Sequence, residues 1–202
     1  GTYYLVDGEG WINASDLSTT DNRIEAVQKV LNEKYNNQER ISVYVKQLDT
    51  DRVAAINDEK SMYAASVAKL GVLYYAQERL SQKKLSLSDE YQYTSAVNGF
   101  PGAYDPDGSG KISKMPDDKN YSLENLLKAV AQNSDNVATN ILGYYVTNQY
   151  DKAFQKSVDK AAATSWNMDK KELTARAAGT LMEAVYRQNG DIITYLSSTD
   201  YD

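Results

Sequence analysis

The sequence predicts an α/β (α+β) fold: an antiparallel sheet flanked by helices, with a helical lobe beside it. Three successive patterns carry that expectation. Residues 21–35 place Ile24, Val27, Val30 and Leu31 at helical spacing. Residues 41–57 change period: Ile41, Val43 and Val45 alternate with Ser42, Tyr44 and Lys46, Asp49-Thr50-Asp51 turns the chain, and Arg52 to Asn57 returns. Beyond residue 66 the spacing is helical again. Helix, hairpin and further helices are the order in which helices pack on an antiparallel sheet. With 202 residues, 42% hydrophobic and 25% charged, the chain has the composition of an ordinary globular domain and enough length for a sizeable core.

The elements follow in order. Thr2 to Val6 reads as a strand, Asp7-Gly8 as a hairpin turn and Trp11-Ile12-Asn13 as its return. A lone hairpin is marginal in water, so it either docks with its Trp in the core or once closed a small barrel upstream. Thr20 or Asp21 is positioned to cap the first helix, and Asn36-Asn37 to end it. From Val67 to Ala76 every residue except Lys69 is apolar, aromatic or glycine, so a helix over residues 66–80 should be buried on all sides. A loop rich in Gly, Pro and Asp spans 98–119. Ser122 then caps a helix bearing Leu123, Leu126, Leu127 and Val130. Asn133-Ser134-Asp135-Asn136 interrupts it before Val137, Ala138, Ile141 and Leu142 resume the spacing. A last helix runs from about Thr174 to Tyr186 and stops at Asn189-Gly190.

Two zeros narrow the chemistry. The chain has no histidine and no cysteine, which excludes histidine-based triads, thiol catalysis, zinc held by nitrogen or sulfur, and disulfides. Any catalysis near neutral pH must use carboxylates, lysine, tyrosine or hydroxyls. The net charge of −6, from 22 Lys and Arg against 28 Asp and Glu, disfavours nucleic acid as a partner. No run of about 18 apolar residues and no basic-apolar export signal occurs, so no membrane span is expected within these residues.

Without histidine, a lysine one helical turn away can activate a serine. The Ser-x-x-Lys spacing occurs three times, at Ser66–Lys69, Ser81–Lys84 and Ser157–Lys160. The last two lie in polar surroundings. Lys69 lies in the first turn of the all-apolar helix, where burial and the positive end of the helix dipole both disfavour the charged amine. The plain alternative makes Ser66 a helix N-cap, although a capping box wants Glu or Gln where this chain has Lys69. Ser134-Asp135-Asn136 likewise reads either as a helix break and recap or as part of the same constellation. Asp105-Pro106-Asp107-Gly108-Ser109-Gly110 is a partial calcium loop. Pro116 stands where the bidentate Glu belongs, so a turn-rich surface loop is the better reading and no metal or other cofactor is expected.

Together, Ser66-Val67-Ala68-Lys69 and Ser134-Asp135-Asn136 resemble the S-x-x-K and S-D-N signatures of the penicillin-recognising serine hydrolases, the superfamily of class A β-lactamases and penicillin-binding proteins. The likeness spans roughly residues 20–202 and is nearest to the class A β-lactamase-like proteins of Gram-positive bacteria. It implies a β-lactamase/transpeptidase-like fold, an acyl-enzyme on Ser66 with Lys69 as base or proton relay, and Ser134 shuttling a proton to the leaving nitrogen. Asn136 would bind the substrate's side-chain amide, the Ser66 N–H would form half of an oxyanion hole, and Tyr104 would flank the cleft. Gly10 to Leu17 resembles the closing strand of bacterial wall-binding barrels related to Src-homology-3 domains. This implies a division into residues 1–17 and 18–202 and a place in the cell envelope or outside the cell.

Two departures from the pattern matter. No Lys-Thr-Gly triplet occurs, so C-terminal strands are expected to be missing from this chain, with a second polypeptide as one possible source. The E-x-x-L-N pattern of class A enzymes is also absent. Between Asn136 and Thr174 the acids are Asp151, Asp159, Asp169 and Glu172, and Glu172 is the nearest candidate for activating the deacylating water, or else an acid in the first turn of the last helix. Three readings stay open: a β-lactam hydrolase, a slowly deacylating penicillin-binding protein or D,D-peptidase acting on peptidoglycan peptides, and a wall-binding module without turnover.

Overall fold

In the first fifty-six residues the amphipathic helix and the hairpin foreseen above make a small core of their own. The computed structural model describes residues 1–6, 8, 10–14 and 21–199 and divides into two units, residues 1–56 and 57–202. In the first, α1 (Arg23–Tyr35) accompanies the antiparallel pair β3 (Val43–Gln47) and β4 (Arg52–Ile56), registered Val45 to Ala54. Ile24, Leu31 and Ala54 are buried, with Val27, Val43 and Val45 packed around them. Gln28 joins helix to strand twice, its amide donating to the Ala55 carbonyl and accepting from the Ala55 N–H. Val30 departs from expectation at 45% exposed. Six residues beyond Ile24 at 100° per residue, it points away from the Ile24–Val27–Leu31 stripe. Asn22 stands at the N-cap position without a side-chain cap bond, while the Asp21 carboxylate accepts from the Arg23 N–H.

Strands β1 (Tyr3–Val6) and β2 (Gly10–Asn13) pair in the expected hairpin, Leu5 opposite Trp11. Trp11 is 71% exposed, which corrects the alternative that buries it in a core: the ribbon adds nothing to the Ile24–Leu31–Ala54 cluster. Asp7, in the expected turn, and residues 15–17, on which both the wall-barrel likeness and a division after Leu17 depend, lie outside the described residues.

The second unit is helix-rich. Its strands form two short antiparallel pairings: β5 (Met62–Tyr63) with β8 (Glu172–Leu173), and β6 (Glu90–Gln92) with β7 (Asn120–Ser122), two of the four two-stranded sheets among the described residues. At its centre is α2 (Leu70–Ser81), whose Val72, Leu73, Tyr75 and Ala76 are buried. Around it stand α3 (Leu123–Asn133), α4 (Asn136–Tyr145), α5 (Lys152–Ala162), α6 (Ala175–Gln188) and α7 (Asp191–Leu196). Tyr75 meets Phe154 of α5 edge to face at 5.4 Å. Each fully buried Leu of α3, such as Leu126 and Leu127, contributes about 1.5–3 kcal/mol. No helix among the described residues is long and apolar enough to cross a membrane.

Three expectations need correction here. The segment foreseen as a helix from Ser66 is a 3-10 turn over Ala65–Lys69, with α2 starting at Leu70; Ser66 therefore caps no α-helix, and Val67 is 50% exposed. Ala65, which opens that turn, has a φ of +46°, in the left-handed region. Helix α5 was not foreseen. Asp151 caps it by accepting from the Ala153 and Phe154 N–H groups, and Phe154, Val158 and Ala162 form its buried stripe. The chain also does not end its helices at Asn189-Gly190. Gly190 is the N-cap position of α7, whose Ile192 N–H donates to the buried Gln77 side chain.

Candidate active site

The site assembles where the 3-10 turn of residues 65–69 faces the break between α3 and α4. Lys69, the only polar residue of its apolar stretch, is 2% exposed. Its Nζ donates to the Ser134 carbonyl at 2.5 Å and to Asn136 Oδ1 at 2.6 Å, and lies 3.2 Å from Ser134 Oγ. Burial pulls its pKa down to about 8; Asp135 opposes that change and Lys171 adds to it. A neutral amine has two N–H donors and one lone pair. Charged, Lys69 donates to all three oxygens, Ser134 Oγ included; neutral, it keeps the carbonyl and the amide oxygen on its two N–H groups and has the lone pair free for a hydroxyl proton.

The break that presents Ser134 is built from cap chemistry. Ser134 ends α3 in the left-handed region, φ 51° and ψ 39°, and Asp135 opens α4 as its N-cap. The Asp135 carboxylate is wholly buried and accepts from the N–H groups of Ala138, Lys111 and Ile112. Break-and-recap and the functional reading of the triplet thus hold together: the cap is what aims the serine.

Asn136 is committed on both ends, its Nδ2 donating to the Asp105 carbonyl at 2.7 Å while Oδ1 receives Lys69. The resemblance gives it the substrate amide; here it first positions the lysine. Loop 105–112 lies directly on this pair. The Asn136 N–H donates to the Ser109 carbonyl, and a Cβ at Gly108 would collide with the Asn136 amide, as would one at Gly110 with the Asp135 carboxylate. Gly110 also has a φ of +132°. The glycines of the partial calcium loop are therefore explained by close packing. Among the described residues no cluster of three metal-ligating side chains occurs, and the Asp105 carboxylate accepts from the Asp107 N–H.

Ser66 is exposed at the mouth of a pocket of about 230 Å³. Lys69 and Ser134 line the same pocket, with Leu73, Val130 and Leu196 among its apolar walls. Ser66 Oγ makes no hydrogen bond to Lys69 among the described residues, so the pocket joins the three side chains while direct contact is limited to Lys69 and Ser134. The other two Ser-x-x-Lys pairs end in exposed lysines, Lys84 and Lys160.

Tyr104 is buried behind the turn and does not flank an open cleft. Its hydroxyl donates to the Ala65 carbonyl at 3.1 Å, its backbone is clamped by both ends of the Asn140 amide, and burial raises its pKa so that it stays neutral. Asn140 lies one turn after Asn136, an i, i+4 relation that sequence reading could have used. Lys171, also unforeseen, is 9% exposed and donates to the Gly102 carbonyl at 3.0 Å. Glu172 is not in a first helical turn: it is an exposed residue of β8 opposite Tyr63, and Thr174 caps α6 instead. Glu172 is not among the residues lining the Ser66 pocket.

The model of the beta-lactamase enzyme family matches residues 22–202. The chain belongs to that family. Its fold is β-lactamase/transpeptidase-like, and solved structures of such proteins superpose on it at low identity. The structure of PBP-A matches with a TM-score of 0.70 at 14% identity, covering 87% of this chain and 69% of that one. A β-lactamase from Sphaerobacter thermophilus gives 0.65 at 16%, covering 91% and 71%. The D-alanyl-D-alanine carboxypeptidase DacD from Francisella tularensis gives 0.61 at 16%, covering 77% and 38%. No curated protein matches the chain.

Proposed function

We propose that the protein transfers the acyl group of a β-lactam, or of a D-alanyl amide of a peptidoglycan peptide, onto Ser66, and that the acyl-enzyme is hydrolysed slowly. The observation that carries this reading is the buried Lys69 amine, held by two acceptors beside the Ser134 hydroxyl and sharing a pocket with Ser66.

The neutral amine accepts the Ser66 hydroxyl proton, with the Ser134 hydroxyl as relay, as Ser66 Oγ bonds to the carbonyl carbon. When the C–N bond breaks, Ser134 gives its proton to the leaving nitrogen and regains one from the Lys69 ammonium. Water then cleaves the ester and restores Ser66. That last step needs a base, and no carboxylate is among the described residues lining the pocket. This favours the slowly deacylating enzyme over a rapid β-lactam hydrolase. Substrates of this class place the protein in the cell envelope or outside the cell, which we propose as its location.

A chromogenic cephalosporin distinguishes the readings. The expected result is a burst of one equivalent followed by slow steady turnover, abolished by Ser66→Ala. Fast linear hydrolysis would establish the β-lactam hydrolase instead. Absence of any burst or turnover, together with retention on peptidoglycan after Ser66→Ala, would replace both with a binding module.

A further inference from the structure

We propose that Lys171 is a positioning residue of this site: its ammonium, laid on the same Tyr104 ring as Lys69, keeps the Lys69 amine available as a base. The inference rests on the function proposed above. Lys69 Nζ lies 4.6 Å from the Tyr104 ring centroid and Lys171 Nζ 4.5 Å, so one neutral ring carries two buried lysines. Among the described residues Lys171 is paired with no carboxylate; it donates to the carbonyls of Gly102 and Met168. Burying a cation without a counter-charge is costly and needs a reason.

The backbone points the same way. Lys171 has a φ of +53°, and its carbonyl accepts from the Ala64 N–H at 2.7 Å, directly before the left-handed Ala65 that sets Ser66. Tyr104 ties the other side of that turn through its hydroxyl. One lysine in a disfavoured conformation therefore touches the turn, the loop and the shared ring.

The charges facing Lys69 are Asp135, which favours its protonation, and Lys171, which opposes it; Lys171 is itself pushed toward the neutral form by burial, and Asp169 favours its charge. Tyr104 is neutral, and Ser134 and Asn136 carry no charge. The two nitrogens are within about 9 Å of each other, where like charges at an effective dielectric of about 20 shift a titration by about one pH unit.

The test follows the Lys69 titration by NMR in protein with ¹³C-labelled lysine, the resonance being the one lost in Lys69→Met. In the parent, the Lys69 and Lys171 resonances are expected to show coupled, two-step curves. In Lys171→Gln, which keeps a donor for the carbonyls without the charge, the Lys69 midpoint rises by about one unit, and the pH profile of Ser66 acylation moves with it. Lys171→Arg restores both. An unmoved midpoint in Lys171→Gln, or independent single-step curves in the parent, overturns the proposal, and the parent measurement stands even if Lys171→Gln fails to fold. Coupled curves in a protein that never acylates would overturn the function proposed for Ser66 and leave the lysine pair in place.

Discussion

Replacing Lys69 by Met should change how stability depends on pH, in an amount the structure sets. The native amine titrates at about 8 against an ordinary 10.5. Between those values the unfolded chain holds a proton that the native protein lacks, so stability rises with pH. The full penalty is present below pH 8 and is gone above 10.5. At 1.36 kcal/mol per unit, the group accounts for about 3 kcal/mol across the window. Lys69→Met has no such group, so the stability of the parent minus that of the variant should grow by about 3 kcal/mol from pH 7 to pH 10.5. Whatever constant cost arises from leaving the Ser134 and Asn136 oxygens unbonded does not alter that slope. Trp166 is the natural reporter, being wholly buried with its indole donating to the Ala68 carbonyl beside Lys69. Urea unfolding followed by its fluorescence in a Trp11→Phe background measures the difference at each pH. A difference that stays flat, or shrinks as pH rises, would refute a buried, weakly basic Lys69.

The remaining predictions concern the frame around that amine. Asp135→Ala strands three N–H groups, that of Ala138 buried, and removes the α4 cap, and should cost about 3–5 kcal/mol, or about 10 °C in thermal melting; a loss under about 1 kcal/mol would contradict the carboxylate's role. Gly110→Ala drives a methyl into the Asp135 carboxylate and should slow Ser66 acylation by about tenfold or more through displacement of Asn136 and Lys69; an unchanged acylation rate would count against the loop's contact. Leu126→Ala, at a fully buried position of α3, should lower the urea-unfolding free energy by about 2–5 kcal/mol, and a smaller effect would place Leu126 outside the packed core.

Much of the site is local in sequence, which is why it was legible. Ser66 and Lys69 sit within one turn, the apolar run around Lys69 announces its burial, and Ser134-Asp135-Asn136 carries its own cap signals. The hairpin of β3 and β4 was equally plain from period-two alternation. What failed to show has a common cause: it depends on tertiary contact. The turn before α2 is tied by contacts from distant residues, the Lys171 carbonyl on the Ala64 N–H and the Tyr104 hydroxyl on the Ala65 carbonyl, and the α-helix starts at Leu70 instead of Ser66. Trp11 has the chemistry of a core residue but sits on a ribbon outside the core cluster. Tyr104 and Lys171 come together from positions 67 apart in the chain, with nothing in either local segment to announce the meeting. Asp151 in front of Phe154 and Val158 was a readable start for α5; its polar surroundings concealed a helix with one narrow buried stripe.

The central claim is that Ser66 is a nucleophile activated by an uncharged lysine. Exposing the protein to benzylpenicillin and mapping the product by peptide mass spectrometry tests it most directly. The account predicts one covalent penicilloyl group per molecule, on the peptide containing Ser66, formed faster as pH rises through 8 and absent from Lys69→Met. An unmodified Ser66 under conditions that acylate a control penicillin-binding protein, or an adduct on another residue, would contradict it.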